Sequence, residues 1–207
     1  MTDDEADTAA TIGRRGSYAK GVARRQEILD RAIDVFAERG GHGTSLRSIA
    51  QAIGVSHAAL LHYFDSREQL LLAVYQHAEA KRTSDPAAPK AMTAVDVMTL
   101  AATANVEVPG LVELYSTLVA ASLEASNTAG RAYFTDRFDR VRRDLVDRLR
   151  AQQPSGELRA DVDPEQIAAL LVAASDGLQI QWLLDPSVRL QETLGALATL
   201  LRAPAAE

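Results

Sequence analysis

The stretch that decides the fold is TSLRSIAQAIGVSHAALLHYF, Thr44 to Phe64. Ser45 (or Thr44) and Ser56 each stand where a helix N-cap belongs, which predicts one helix over Leu46–Ile53 and a second over His57–Tyr63. Two short helices that cross steeply need a small residue where their backbones meet, and Ala50 supplies it. The turn between them needs a residue tolerant of positive φ, and Gly54 supplies that. Ile49, Ile53, Val55 and Leu60 are spaced to share one small core. This is the pattern of a helix-turn-helix, whose second helix is left free to enter a major groove. By itself the pattern leaves an ordinary αα-hairpin open.

Working outward, Ile28, Ala32, Val35 and Phe36 recur at spacings of three and four, predicting a helix over Ala19–Arg39 that Gly40-Gly41-His42-Gly43 ends. On the other side a helix is expected over Arg67–Arg82, capped by Asp65 or Ser66, with Glu68 in its first turn. Residues 1–18 read as a disordered arm ending in Arg14 and Arg15. The prolines of TSDPAAPKAM, residues 83–92, mark a break. Beyond it, helices are expected near 93–107, 110–125, 128–152, 164–184 and 188–202, with Asp163-Pro164 as a strong helix start. The expected organisation is all-α: an arm (1–18), a helix-turn-helix domain with a connecting helix (19–82) and a helical regulatory domain (83–207).

Composition narrows the function classes. With 47% hydrophobic residues in 207, the chain carries enough apolar material for real cores, and the scarcity of aromatics favours helices. The absence of cysteine excludes disulfides and thiolate metal sites. The opening MTDDEADTAA is unlike a signal peptide, and no run of about 18 apolar residues stands out, so a cytoplasmic protein with no membrane partner is expected. The net charge of −6 is unevenly spread: residues 14–82 hold 11 basic against 7 acidic side chains, and residues 83–207 hold 11 against 17. An acidic chain can still meet a polyanion through its basic third. His57 and His62 lie about 140° apart around a helix, which suits no chelate, so no metal is expected. There is no Gly-rich phosphate loop, no G-x-S-x-G and no H-E-x-x-H, so neither catalysis nor a cofactor is expected. The run Arg140-Val141-Arg142-Arg143 reads as a solvated face of i,i+4 ion pairs, and Glu113 and Glu124 as exposed.

The flanks sharpen the picture. Phe36-Ala37-Glu38-Arg39-Gly40, Thr44-Ser45-Leu46-Arg47-Ser48-Ile49-Ala50, Gly54-Val55-Ser56 and Tyr63-Phe64-Asp65-Ser66-Arg67-Glu68-Gln69-Leu70 occur in one order at fixed spacings. In these motifs the chain resembles the TetR family of bacterial regulators. Through Arg131-Ala132-Tyr133-Phe134 and the segment Asp176–Pro186, its remainder resembles BetI-like members. The resemblance implies a homodimer that binds a double-stranded operator and is released by a small-molecule effector. It assigns Arg47 to a base edge, His57, Ala58 and His62 to the outward face of the recognition helix, and Thr44, Ser45, Ser56, Tyr63 and Arg67 to phosphate contacts. Leu61 departs from the pattern, standing where the family commonly has a phosphate-binding Tyr. Asn105, Tyr115, Tyr133 and Trp182 are the polar or aromatic candidates for an effector cavity, though ordinary core explains each as well. Dimer contacts are expected from Ala169, Ala173 and Gly177 and from the stripe Leu190, Leu194, Leu197 and Leu201; a stripe alone equally suits an internal core. The competing function is a DNA-binding protein with no effector, controlled by a protein partner or acting architecturally.

Overall fold

The computed structural model describes residues 9–39, 45–83 and 91–203. Among these the fold is all-α: α1 (Ala9–Arg39), α2 (Leu46–Ala52), α3 (His57–Tyr63), α4 (Arg67–Thr83), α5 (Ala94–Glu107), α6 (Leu111–Ser122), α7 (Thr128–Gln152), α8 (Pro164–Leu184) and α9 (Leu190–Leu201). The chain divides into two compact units, Met1–Glu79 and Ala80–Glu207, with the division inside α4.

The first unit is built on the expected stripe. Ile28, Leu29, Ala32 and Val35 of α1 are buried, as are Ile49, Ala50 and Ile53 of α2, Leu60 of α3 and Phe64 just beyond it. Leu70, Leu71, Val74 and Tyr75 of α4 complete this set. One expectation is corrected: α1 starts at Ala9, so residues 9–18 are helical and not a disordered arm. The reason is that no proline interrupts the run, and glycine lowers helix propensity by only about 1 kcal/mol without breaking a helix. The glycine run after Arg39 and most of the proline segment lie outside the described residues.

The second unit is a bundle of α5 to α9. Thr93 and Asp96 form a capping box at the start of α5, and the end of α7 secures it: Ala94 N donates to Gln152 Oε1 at 3.1 Å. Val108-Pro109-Gly110 turns the chain through 107° into α6, with Gly110 at φ 73°. Asp163 caps α8 and Pro164 takes its first position. The main core joins Val95 and Met98 of α5, Leu145 and Leu149 of α7 and Ile167, Leu171 and Val172 of α8. A second cluster joins Ala102 to Leu190 and Leu194 of α9.

Two readings of these helices are refined. Leu190 and Leu194 are buried in their own chain, and Leu197 and Leu201 pack partly buried on the same cores, so the α9 stripe serves the internal core of its own chain. An amphipathic helix buries its strongest stripe in the nearest core, which here is α5. Second, α8 is long and apolar enough, by length and composition, to cross a membrane. Its inner face nevertheless serves the bundle, burying Ile167, Ala168, Leu171 and Val172 together with the polar Ser175 and Gln179. Its outer face exposes Ala169, Leu170, Ala173, Ile180 and Leu184.

Candidate nucleic-acid interface and effector cavity

The joint between α2 and α3 is fixed by backbone and short side chains. Ser45 Oγ accepts from Ser48 N at 3.2 Å and Ser56 Oγ accepts from Ala59 N at 3.0 Å, so both caps form. Gly54 adopts φ 72°, and Val55 N returns to Ala50 O at 2.9 Å, closing the turn over the small residue that the crossing requires. Two supports went unread in the sequence. Arg31 of α1 donates through Nη1 to Ile53 O at 3.0 Å, satisfying a carbonyl at the end of α2. Asp30 of α1 meets His77 Nε2 of α4 at 2.9 Å. The cap expected from Ser66 forms, its Oγ accepting from Gln69 N at 3.1 Å; the return bond, Gln69 Oε1 accepting from Asp65 N at 2.5 Å in a variant of the capping box, was legible but missed.

This scaffold presents one face of α3. Leu60 points inward, fully buried. His57, Ala58 and His62 are exposed, and Ser45, Arg47 and Ser56 lie exposed on the elements around them. Tyr63 and Arg67 are half-buried, with the Tyr63 ring edge-on to His62 at 5.0 Å. Thr44 lies outside the described residues. Arg25 stacks over the buried Phe64 ring at 5.0 Å, giving that cation a packing role in the unit.

The second unit holds a partly open cavity of about 230 Å³ between α5, α6, α7 and α8. Met98 and Val172 are among its apolar walls; Asn105, Tyr115, Arg137, Ser175 and Asp176 are among its polar ones. Tyr115 Oη donates to Asp176 Oδ2 at 3.0 Å, and the Arg137 guanidinium lies 5.1 Å from the centre of the Tyr115 ring. Burial pushes the Asp176 carboxyl above its ordinary value; the Tyr115 hydrogen bond and the Arg137 charge oppose the shift. Beside them Asn105 Nδ2 donates to Gln179 Oε1 at 2.8 Å, and Gln179 Nε2 donates to Ser175 O at 3.2 Å.

Of the four sequence candidates, Asn105 and Tyr115 line this cavity. Tyr133 packs edge-on to Phe134 at 5.1 Å, and Trp182 packs on the Ala102–Leu190–Leu194 cluster, so neither is among its lining. Asp176 and Arg137 were not anticipated. A carboxylate within an apolar helix was the available signal, since such a group is buried only when partnered. The arginine-rich face of α7 is laced with pairs, among them Arg140–Asp136 at 3.1 Å, Arg142–Asp139 and Arg148–Asp144 at 3.0 Å. Among the described residues no group of three or more His, Cys, Asp or Glu is placed to hold a metal.

Comparison with known proteins agrees with this geometry. The profile of "Bacterial regulatory proteins, tetR family" matches residues 28–74, and that of "BetI-type transcriptional repressor, C-terminal" matches residues 104–203. The transcriptional regulator RutR of Escherichia coli K12 is 41% identical over 68 residues, and that match spans only 32% of this chain and 32% of RutR. The transcriptional regulator BetI of Rhizobium meliloti is 32% identical over 170 residues, covering 76% of this chain and 77% of BetI. A crystal structure of a TetR-family regulator from Rhodococcus sp. superposes with a TM-score of 0.69 at 23% identity, covering 86% of this chain and 98% of its own, which establishes a common fold.

Proposed function

Because the chain belongs to the tetR family of bacterial regulatory proteins and carries a BetI-type C-terminal domain, we propose that it is a dimeric repressor, released from a palindromic DNA operator by a small effector. The observation that carries the reading is the α2–α3 joint: a capped, glycine-turned pair with Leu60 anchored inward and His57, Ala58 and His62 turned outward. In this reading α3 enters the major groove. Arg47 grips a guanine edge, Ala58 and the two histidines face the bases, and Thr44, Ser45, Ser56, Tyr63 and Arg67 lie along phosphates. Basic residues 14–82 supply the attraction that the net charge of −6 conceals.

Dimerisation is assigned to the outer faces of α8 and α9. Ala169, Ala173, Gly177, Ile180 and Leu184 form a row at helical spacing on α8; Gly195, Ala196, Thr199 and Leu200 form one on α9. A Cβ built on Gly177 or Gly195 meets nothing within 4 Å, so the chain's own packing does not require either glycine. Small residues there suit the close approach of two helices from a second copy, as a four-helix bundle needs.

The effector is assigned to the cavity around Asp176 and Tyr115. Its volume of about 230 Å³ lies below the roughly 300–1,000 Å³ of drug-sized sites, favouring a small molecule. Such a ligand acts only by binding the DNA-incompetent state more tightly. The test is a footprint on an operator selected from random duplexes, followed by a thermal-shift screen with small metabolites. A symmetric footprint relieved by a compound that also stabilises the protein is the expected result. A footprint that no stabilising compound relieves would favour control by a protein partner, and no footprint would end the reading.

A further inference from the structure

Leu61 is the large apolar side chain that α3 does not bury: it is 43% exposed, whereas its neighbour Leu60 is fully enclosed. One residue step turns a helix by about 100°, so Leu61 sits on the flank of the outward face whose middle is held by Ala58 and His62. Ala58 lies three residues earlier, one turn away, which makes it a surface neighbour of Leu61. The two form a short apolar strip between His57 and His62.

We infer that Leu61, backed by Ala58, reads the 5-methyl group of a thymine, making it a specificity determinant for one A·T pair in each half-site. The inference rests on the proposed DNA-binding role. In the major groove the thymine methyl is the apolar group among the base edges. It projects from C5, on the side of the base nearer the sugar–phosphate wall than the pairing centre. A residue on the helix flank meets that side, while Ala58 and His62 face the groove floor. Leucine has no donor for a phosphate, so its contribution comes from burying apolar surface, and the methyl is the surface that offers it.

The experiment uses the full chain and an operator it has selected from a randomised duplex pool. Each thymine is replaced singly by deoxyuridine, which keeps the base pair and O4 and lacks only the methyl. The expected result is one position per half-site at which wild-type affinity falls about fourfold. Leu61→Ala should lose the same factor on the thymine duplex, bind the deoxyuridine duplex as the wild type does, and show no sensitivity at that position. That last match also demonstrates that the variant is folded. Selected half-sites without thymine beneath α3, full sensitivity retained in Leu61→Ala, or sensitivity abolished by Ala58→Gly alone would each overturn the assignment. A chain that selects no duplex fails the DNA-binding reading; one that selects a duplex but ignores the methyl fails only this one.

Discussion

Asp176 shows how a single side chain sets a measurable property. Its carboxyl is raised chiefly by burial, with the Tyr115 hydrogen bond and the Arg137 charge opposing. A raised carboxyl binds its proton more tightly in the folded chain than in the unfolded one. Stability from this group is therefore full below the ordinary value of 3.8 and is lost as pH climbs through the raised one. Asp176→Asn removes the titration, so its melting temperature should decline less than the wild type's as pH rises from about 4 toward neutrality. Melts at a series of pH values check this, and parallel curves for the two proteins would contradict it. On the DNA side, Arg47 and Arg67 should separate by kind. Arg47→Ala should lose about 1–3 kcal/mol on the selected operator and relax preference at one base pair per half-site. Arg67→Ala should weaken all duplexes alike and flatten the salt dependence. Binding to a panel of single-base operator variants distinguishes them.

At the scale of elements, the α2–α3 turn depends on Gly54 at φ 72°. The space beside it is adequate, since an added Cβ would touch only Arg31 Nη1 at 3.8 Å, so the demand is conformational. Gly54→Ala should destabilise the protein by about 1–2 kcal/mol, read from chemical denaturation. Gly54 and the two serine caps were legible because each acts within a few residues of itself. The Arg31 bond to Ile53 O was not, because 22 residues separate the partners and nothing in the local pattern of either announces the other. The α9 stripe was ambiguous in a different way. Periodicity told which face of α9 is buried and was silent on what buries it; the face left outside is marked by glycine and alanine, whose small size carries a weak sequence signal. Tyr133 and Trp182 illustrate the same limit, since an aromatic at a core position looks alike whether it borders a cavity or another ring.

For the molecule as a whole, the proposed α8–α9 face separates two kinds of leucine. Ile180→Asp with Leu184→Asp changes exposed residues, so sedimentation should give a monomer with its helix content retained and far weaker operator binding. Leu194→Asp instead forces an unpaired carboxylate into a site with no exposure, and should unfold the second unit. The paired recognition helices of a dimer on one face of B-DNA stand about 34–36 Å apart, so half-sites should be spaced by about one turn. The cavity carries a consequence for physiology. Three of its polar side chains are already engaged, Tyr115 with Asp176 and Asn105 with the neighbouring Gln179, so a molecule that binds these groups trades bonds and does not add them. For the proposed effector each trade nets on the order of 1 kcal/mol, so the expected behaviour is that of a gauge of abundance, silent to traces and responsive once its signal accumulates.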